Sequence, residues 1–92
     1  MATVSITYNP YKLTTAITVN GQKPKQNSSL NVENRRLQEW VENLPRILVD
    51  EWRDNSFEIT FTGTQVDFDD LKAAFETAAP NVKVTFKFVK RD

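Results

Sequence analysis

The stretch that decides the fold is FEITFTGTQVDFDDLKAAFETAAPNVKVTFKF, from Phe57 to Phe88. Phe57-Glu58-Ile59-Thr60-Phe61-Thr62 alternates apolar and polar residues until Gly63 ends it. Period two with β-branched and aromatic residues predicts a strand with one apolar face. The period then changes. Phe68, Leu71, Phe75 and Ala78 recur at three and four, the spacing of one helix face. Asp67 reads as the N-cap, with Val66 and Leu71 as a hydrophobic staple, and Asp69 and Asp70 suit the first turn, where the helix dipole favours acids. Pro80 stops the helix. Val82, Val84, Phe86 and Phe88 then face one way, and Lys83, Thr85 and Lys87 the other. A strand–helix–strand unit whose strands each carry one polar face predicts a sheet covered on one side only.

The N-terminal part repeats the pattern. Val4, Ile6 and Tyr8 alternate with Thr3, Ser5 and Thr7, and Leu13, Ile17 and Val19 alternate with Thr14, Ala16 and Thr18. Thr15 is the exception on the second apolar face. Asn9-Pro10-Tyr11-Lys12 supplies a turn, so the pair predicts a hairpin. A polar stretch from Asn20-Gly21 to about Asn34 reads as the longest loop. From Arg35 to Asp54, Leu37, Trp40, Val41, Leu44, Leu48 and Trp52 mark one helix face, with Glu42 and Arg46 as an outward i,i+4 pair. Pro45 interrupts this run, yet the apolar register continues across it, which predicts a helix kinked or briefly broken there with both parts on one face.

The expected fold class is α+β: a two-layer α/β sandwich in the order ββαβαβ, a four-stranded mixed sheet with two helices on one face, forming a single domain over residues 1–92. If each helix is a simple crossover, the second, third and fourth strands are mutually parallel and the first runs against them. The strand orders 2-1-3-4 and 1-2-3-4 are both open. The first is preferred because it puts the lysine-bearing last strand at an edge, where lysine discourages edge pairing.

Composition excludes much chemistry. The 92 residues contain no cysteine and no histidine, which removes disulfides, thiolate nucleophiles, the commonest general base and the commonest transition-metal ligand. Net charge is zero but unevenly spread: residues 1–32 carry +3, 33–79 carry −6 and 80–92 carry +3. Neutrality overall makes a poor partner for a polyanion. Asp67, Asp69 and Asp70 form the one acidic cluster that could suggest a cation, but a helix start accounts for them and no calcium-loop pattern surrounds them. The expectation is no enzyme, no metal and no cofactor. No stretch approaches the ~20 apolar residues of a membrane span. MATVSITYNP lacks the basic region and apolar run of a signal peptide, so a cytoplasmic protein, or a cytoplasmic piece of a larger one, is expected.

Tyr8-Asn9-Pro10-Tyr11, Asn20-Gly21, Arg36-Leu37-Gln38-Glu39-Trp40 and Phe61-Thr62-Gly63-Thr64 through Asp67-Phe68-Asp69-Asp70-Leu71-Lys72 together resemble an uncharacterised small bacterial domain. The resemblance implies a place at the head of larger proteins that are similar to dynamin-like GTPases. The resemblance implies a module of a larger bacterial protein and supplies no catalytic residues, and this chain carries no nucleotide-binding motif of its own.

The function expected from these readings is a non-catalytic protein-interaction or adaptor domain, a monomer or weak homodimer, with an unidentified protein partner. Its candidate partner-binding residues are Pro10 and Tyr11 in the hairpin turn, Lys23 and Lys25 in the long loop, and Trp52 in the last helical turn. The alternative is a weak nucleic-acid-contacting domain using the C-terminal lysines, Lys83, Lys87 and Lys90 with Arg91.

Overall fold

The structure is a computed structural model that describes residues 2–9, 11–24, 35–52 and 56–90. Four strands form one sheet: β1 (Ala2–Asn9), β2 (Thr14–Val19), β3 (Ser56–Gly63) and β4 (Lys83–Lys90). Three helical segments accompany them among the described residues: α1 (Leu37–Trp40), α2 (Leu44–Trp52) and α3 (Gln65–Ala78). The strand order is β2-β1-β3-β4, which places the lysine-bearing strand at an edge.

Alternation in sequence becomes burial on one face. Val4, Ile6, Tyr8, Ile17, Val19, Phe57, Ile59 and Phe61 are buried beneath Leu37, Trp40, Val41, Leu44 and Leu48 of the α1–α2 segment and Phe68, Leu71 and Phe75 of α3. Thr3, Ser5, Thr7, Thr14, Ala16 and Thr85 lie exposed on the other face. Thr15, the polar residue on an apolar face, is buried because its hydroxyl donates to the Arg35 carbonyl at 3.1 Å. A buried hydroxyl without such a partner would be costly. Phe68 centres the aromatic part of the core: it stacks on Phe61 and Phe88, at 6.2 and 4.9 Å between ring centroids, and meets Phe86 edge-on at 6.0 Å. Lys72 lies over the same ring at 5.6 Å.

The helical layer has three segments where two helices were expected. After α1 the chain makes short-range bonds, Asn43 N–H to Trp40 and Leu44 N–H to Val41, before α2 begins. Pro45 therefore occupies the first turn of α2, where its missing N–H leaves no intrahelical bond unmade. The break lies just before the proline, and Leu37, Trp40, Val41, Leu44 and Leu48 all remain buried in one core. Arg46 donates to Asn43 at 3.2 Å rather than pairing with Glu42.

The strand directions differ from expectation. β1, β3 and β4 are mutually parallel, and β2 is the strand that runs against them. The cause is Asn20-Gly21. Both residues have positive φ, 53° and 79°, and Val19 and Gln22 exchange backbone bonds of 2.9 and 3.0 Å. This is a two-residue hairpin turn of type I′, for which Asn-Gly is the preferred sequence. It reverses the chain at the end of β2 instead of opening a loop that leads straight to a helix. Asn20 is held in turn by β1, its N–H donating to the Thr3 carbonyl at 2.7 Å and its side-chain oxygen accepting from Thr3 N–H at 2.9 Å. Arg35, bonded to Thr15, then lies about 13 Å along β2 from Val19 at 3.3 Å per residue. The α1–α2 segment starts at that far end and returns to the start of β3. The crossover thus contains one reversal more than a single helix would give, and β3 enters parallel to β1.

Five smaller expectations are corrected. Leu13 is a turn residue with φ 53° rather than the first apolar residue of β2. The N-cap of α3 is Thr64, not Asp67: the Thr64 hydroxyl accepts from Asp67 N–H at 3.3 Å and donates to the Asp67 carboxylate at 2.7 Å. With the helix starting earlier, Val66 points outward at 70% exposure and makes no staple, and Ala78 is exposed rather than part of the buried face. Val84 and Phe86 are half-buried rather than buried, because they lie on an edge strand which only α3 overlies.

Candidate functional site

The candidate site is the end of the sheet where the three parallel strands finish. Register fixes what meets there. Asn9 pairs with Thr14 across the hairpin, Thr7 with Thr62, Thr62 with Val89 and Gly63 with Lys90. The hairpin turn, the start of α3 and the end of β4 therefore share one end of the molecule.

Tyr11, Val66 and Val89 are the large hydrophobic residues exposed among those described, at 93%, 70% and 47%. All three belong to this end. Tyr11 crowns the turn between β1 and β2, Val66 is the second residue of α3 directly after β3, and Val89 is near the end of β4. Tyr11 stands on a constrained base: the Asn9 side-chain oxygen accepts from Tyr11 N–H at 3.0 Å and from Lys12 N–H at 3.3 Å, an Asx turn. An exposed aromatic ring on a fixed turn loses little backbone freedom on binding. Exposed cations lie at the same end: Lys12 beside Tyr11, Arg35 placed by the bond of its carbonyl to Thr15, Arg36, and Lys90, with the exposed acids Asp69 and Asp70 on the first turns of α3. Glu39 is engaged locally, accepting from Arg36 N–H at 3.1 Å, and Asp69 accepts from Gln65 at 3.0 Å.

The candidate residues read from sequence are not all brought together. Tyr11 sits at this end. Lys23, exposed and next to Gln22, follows the Asn20-Gly21 turn and so belongs to the opposite end. Trp52, at the end of α2, packs half-buried against the core, and its indole N–H is buried with no hydrogen-bond partner among the described residues, as is that of Trp40. Pro10 and Lys25 lie outside the described residues. Val66, Val89, Arg35 and Arg36 were not expected here. Their signal was the Asn20-Gly21 dipeptide, since only its reversal sets which chain ends meet.

Other surfaces offer less. A groove of about 610 Å³ runs between the α1–α2 segment and α3, with Val41, Ala74 and Ala78 along it and Glu42 and Asp70 at its rim. On the open sheet face Lys87 is tied to Glu58 at 3.2 Å, and among the described residues no aromatic side chain lies there for stacking bases. No group of acidic residues that could hold a metal ion forms among the described residues, and none of their helices is long and apolar enough to cross a membrane. Comparison with protein-family models, with curated proteins and with solved structures finds no match to this chain.

Proposed function

We propose that the chain is a non-catalytic protein-interaction domain, a module of a larger bacterial protein, that engages a protein partner through Tyr11, Val66 and Val89. The observation that carries this reading is that the three large hydrophobic residues exposed among those described, scattered in sequence, fall at one end of the sheet. Aromatic residues are over-represented among the anchors of interfaces, and the exposed cations Lys12, Arg35, Arg36 and Lys90 at this end favour an acidic partner surface.

The test is site-specific photocrosslinking. A photoreactive side chain at position 11 and one at position 66 should capture the same protein, and one at Thr60 on the open face should not. Tyr11→Ala should keep the fold and abolish capture from position 66. Equal capture from all three positions, or capture indifferent to Tyr11→Ala, removes the proposed site. Tight binding of an oligonucleotide at physiological salt, lost in Lys83→Glu with Lys87→Glu, would favour the nucleic-acid reading instead.

A further inference from the structure

The edge strand β4 is eight residues long, and no strand lies beyond it among the described residues. Its helix-side residues Val84, Phe86 and Phe88 stay half-buried although the equivalent residues of β3 are fully covered. An edge this long and this apolar on one face is a template for another strand. The lysines on its other face ordinarily argue against such pairing, so the deciding question is where each lysine would fall.

We infer that β4 pairs antiparallel with β4 of a second copy of this chain, about a two-fold axis at Phe86, joining two sheets into one of eight strands. Residues opposite one another in an antiparallel pair point to the same face. Apolar must therefore meet apolar, which permits only registers whose two-fold passes through a residue. Two such registers join the greatest length of β4. With the axis at Lys87, Lys87 faces Lys87 of the second copy. With the axis at Phe86, Val84 faces Phe88, Phe86 faces Phe86, Thr85 faces Lys87 and Lys83 faces Val89. No lysine then opposes a lysine. An axis at Thr85 sets Lys83 against Lys87 twice. Like charges directly opposite are destabilising, so the lysines exclude the neighbouring registers and leave the one at Phe86. Lys87 is also partly neutralised in place by Glu58 at 3.2 Å. The helical layers of both copies come to lie on the same side, and the half-buried Phe86 and Phe88 gain apolar neighbours there.

The absence of native cysteine makes the register directly measurable. Sedimentation equilibrium on the full chain at high micromolar concentration should give a dimer. Thr85→Lys, on the exposed face, places lysine opposite Lys87 at two symmetric positions and should weaken association about tenfold while leaving the far-UV spectrum unchanged. Thr85→Glu should tighten it. Mild oxidation of a mixture of Thr85→Cys and Lys87→Cys chains should give mainly the mixed disulfide. A monomer at every concentration, a dimer indifferent to Thr85→Lys, or preferential self-linking of Lys87→Cys would each overturn the inference. Tyr11→Ala should not alter the dimer, so the result stands apart from that of the partner experiment.

Discussion

Thr64 carries the start of α3, and its two bonds with Asp67 divide the work of the acidic stretch differently from a plain acidic cap. The hydroxyl satisfies one free helix N–H and at the same time donates to the carboxylate of Asp67, a residue only 7% exposed. Thr64→Ala therefore removes both a cap and the partner of a buried acid, and should cost about 1–2 kcal/mol in urea denaturation. Val66 distinguishes this arrangement from a staple. A staple residue would be buried, whereas Val66 is exposed, so Val66→Ala should change stability by less than about 0.5 kcal/mol. Thr64 and Asp67 stand three apart, as a capping box requires, and Asp67 followed by Asp69 and Asp70 also resembles a helix start. The sequence holds both signals, and only the hydrogen bonds decide between them. Gly63 adds a packing constraint at the same corner: a Cβ there would lie 2.7 Å from a ring carbon of Phe61, in the core.

At the scale of elements, what was legible and what was not divide along one line. Strand and helix periodicity depends on which neighbours are apolar, and that is local. Hence the four strands, their inward residues other than Leu13, and the helix-face register of Leu37 to Leu48 could be read directly. The direction in which a strand enters the sheet depends on how often the chain reverses before it. Here that rests on the two residues Asn20 and Gly21, embedded in a polar stretch with no apolar pattern to mark a traverse. The candidate site inherited the difficulty. Tyr11 was legible as an exposed turn residue, but its company of Val66, Val89 and Arg35 follows from strand direction. The turn is accordingly a sensitive point. Gly21 has φ 79° with open space around it, so a side chain there meets backbone strain and not a clash. Gly21→Val should destabilise by about 1–2 kcal/mol, and Gly21→Asn should recover most of the loss, because asparagine tolerates the left-handed conformation. Thermal melts of the two variants check this.

For the whole molecule, the sheet joins a one-sided core to a polar face, and the two proposed contact surfaces, one across the strand ends and one along the β4 edge, meet at Val89. The parallel set of β1, β3 and β4 has a mechanical consequence as well. Ala2 opens β1 at one end of the sheet and Lys90 closes β4 at the other, with β3 hydrogen-bonded between them. Tension applied at residues 2 and 90 runs along the strands, so the bonds on both sides of β3 are loaded together, in shear. Tension applied at residues 11 and 90, which share one end, runs across the strands and opens bonds one after another. Single-molecule stretching should therefore find a clearly higher unfolding force for the first geometry than for the second, and equal forces would contradict the parallel arrangement. Held by these two positions in a longer polypeptide, the domain would act as a stiff link that transmits a pull without yielding.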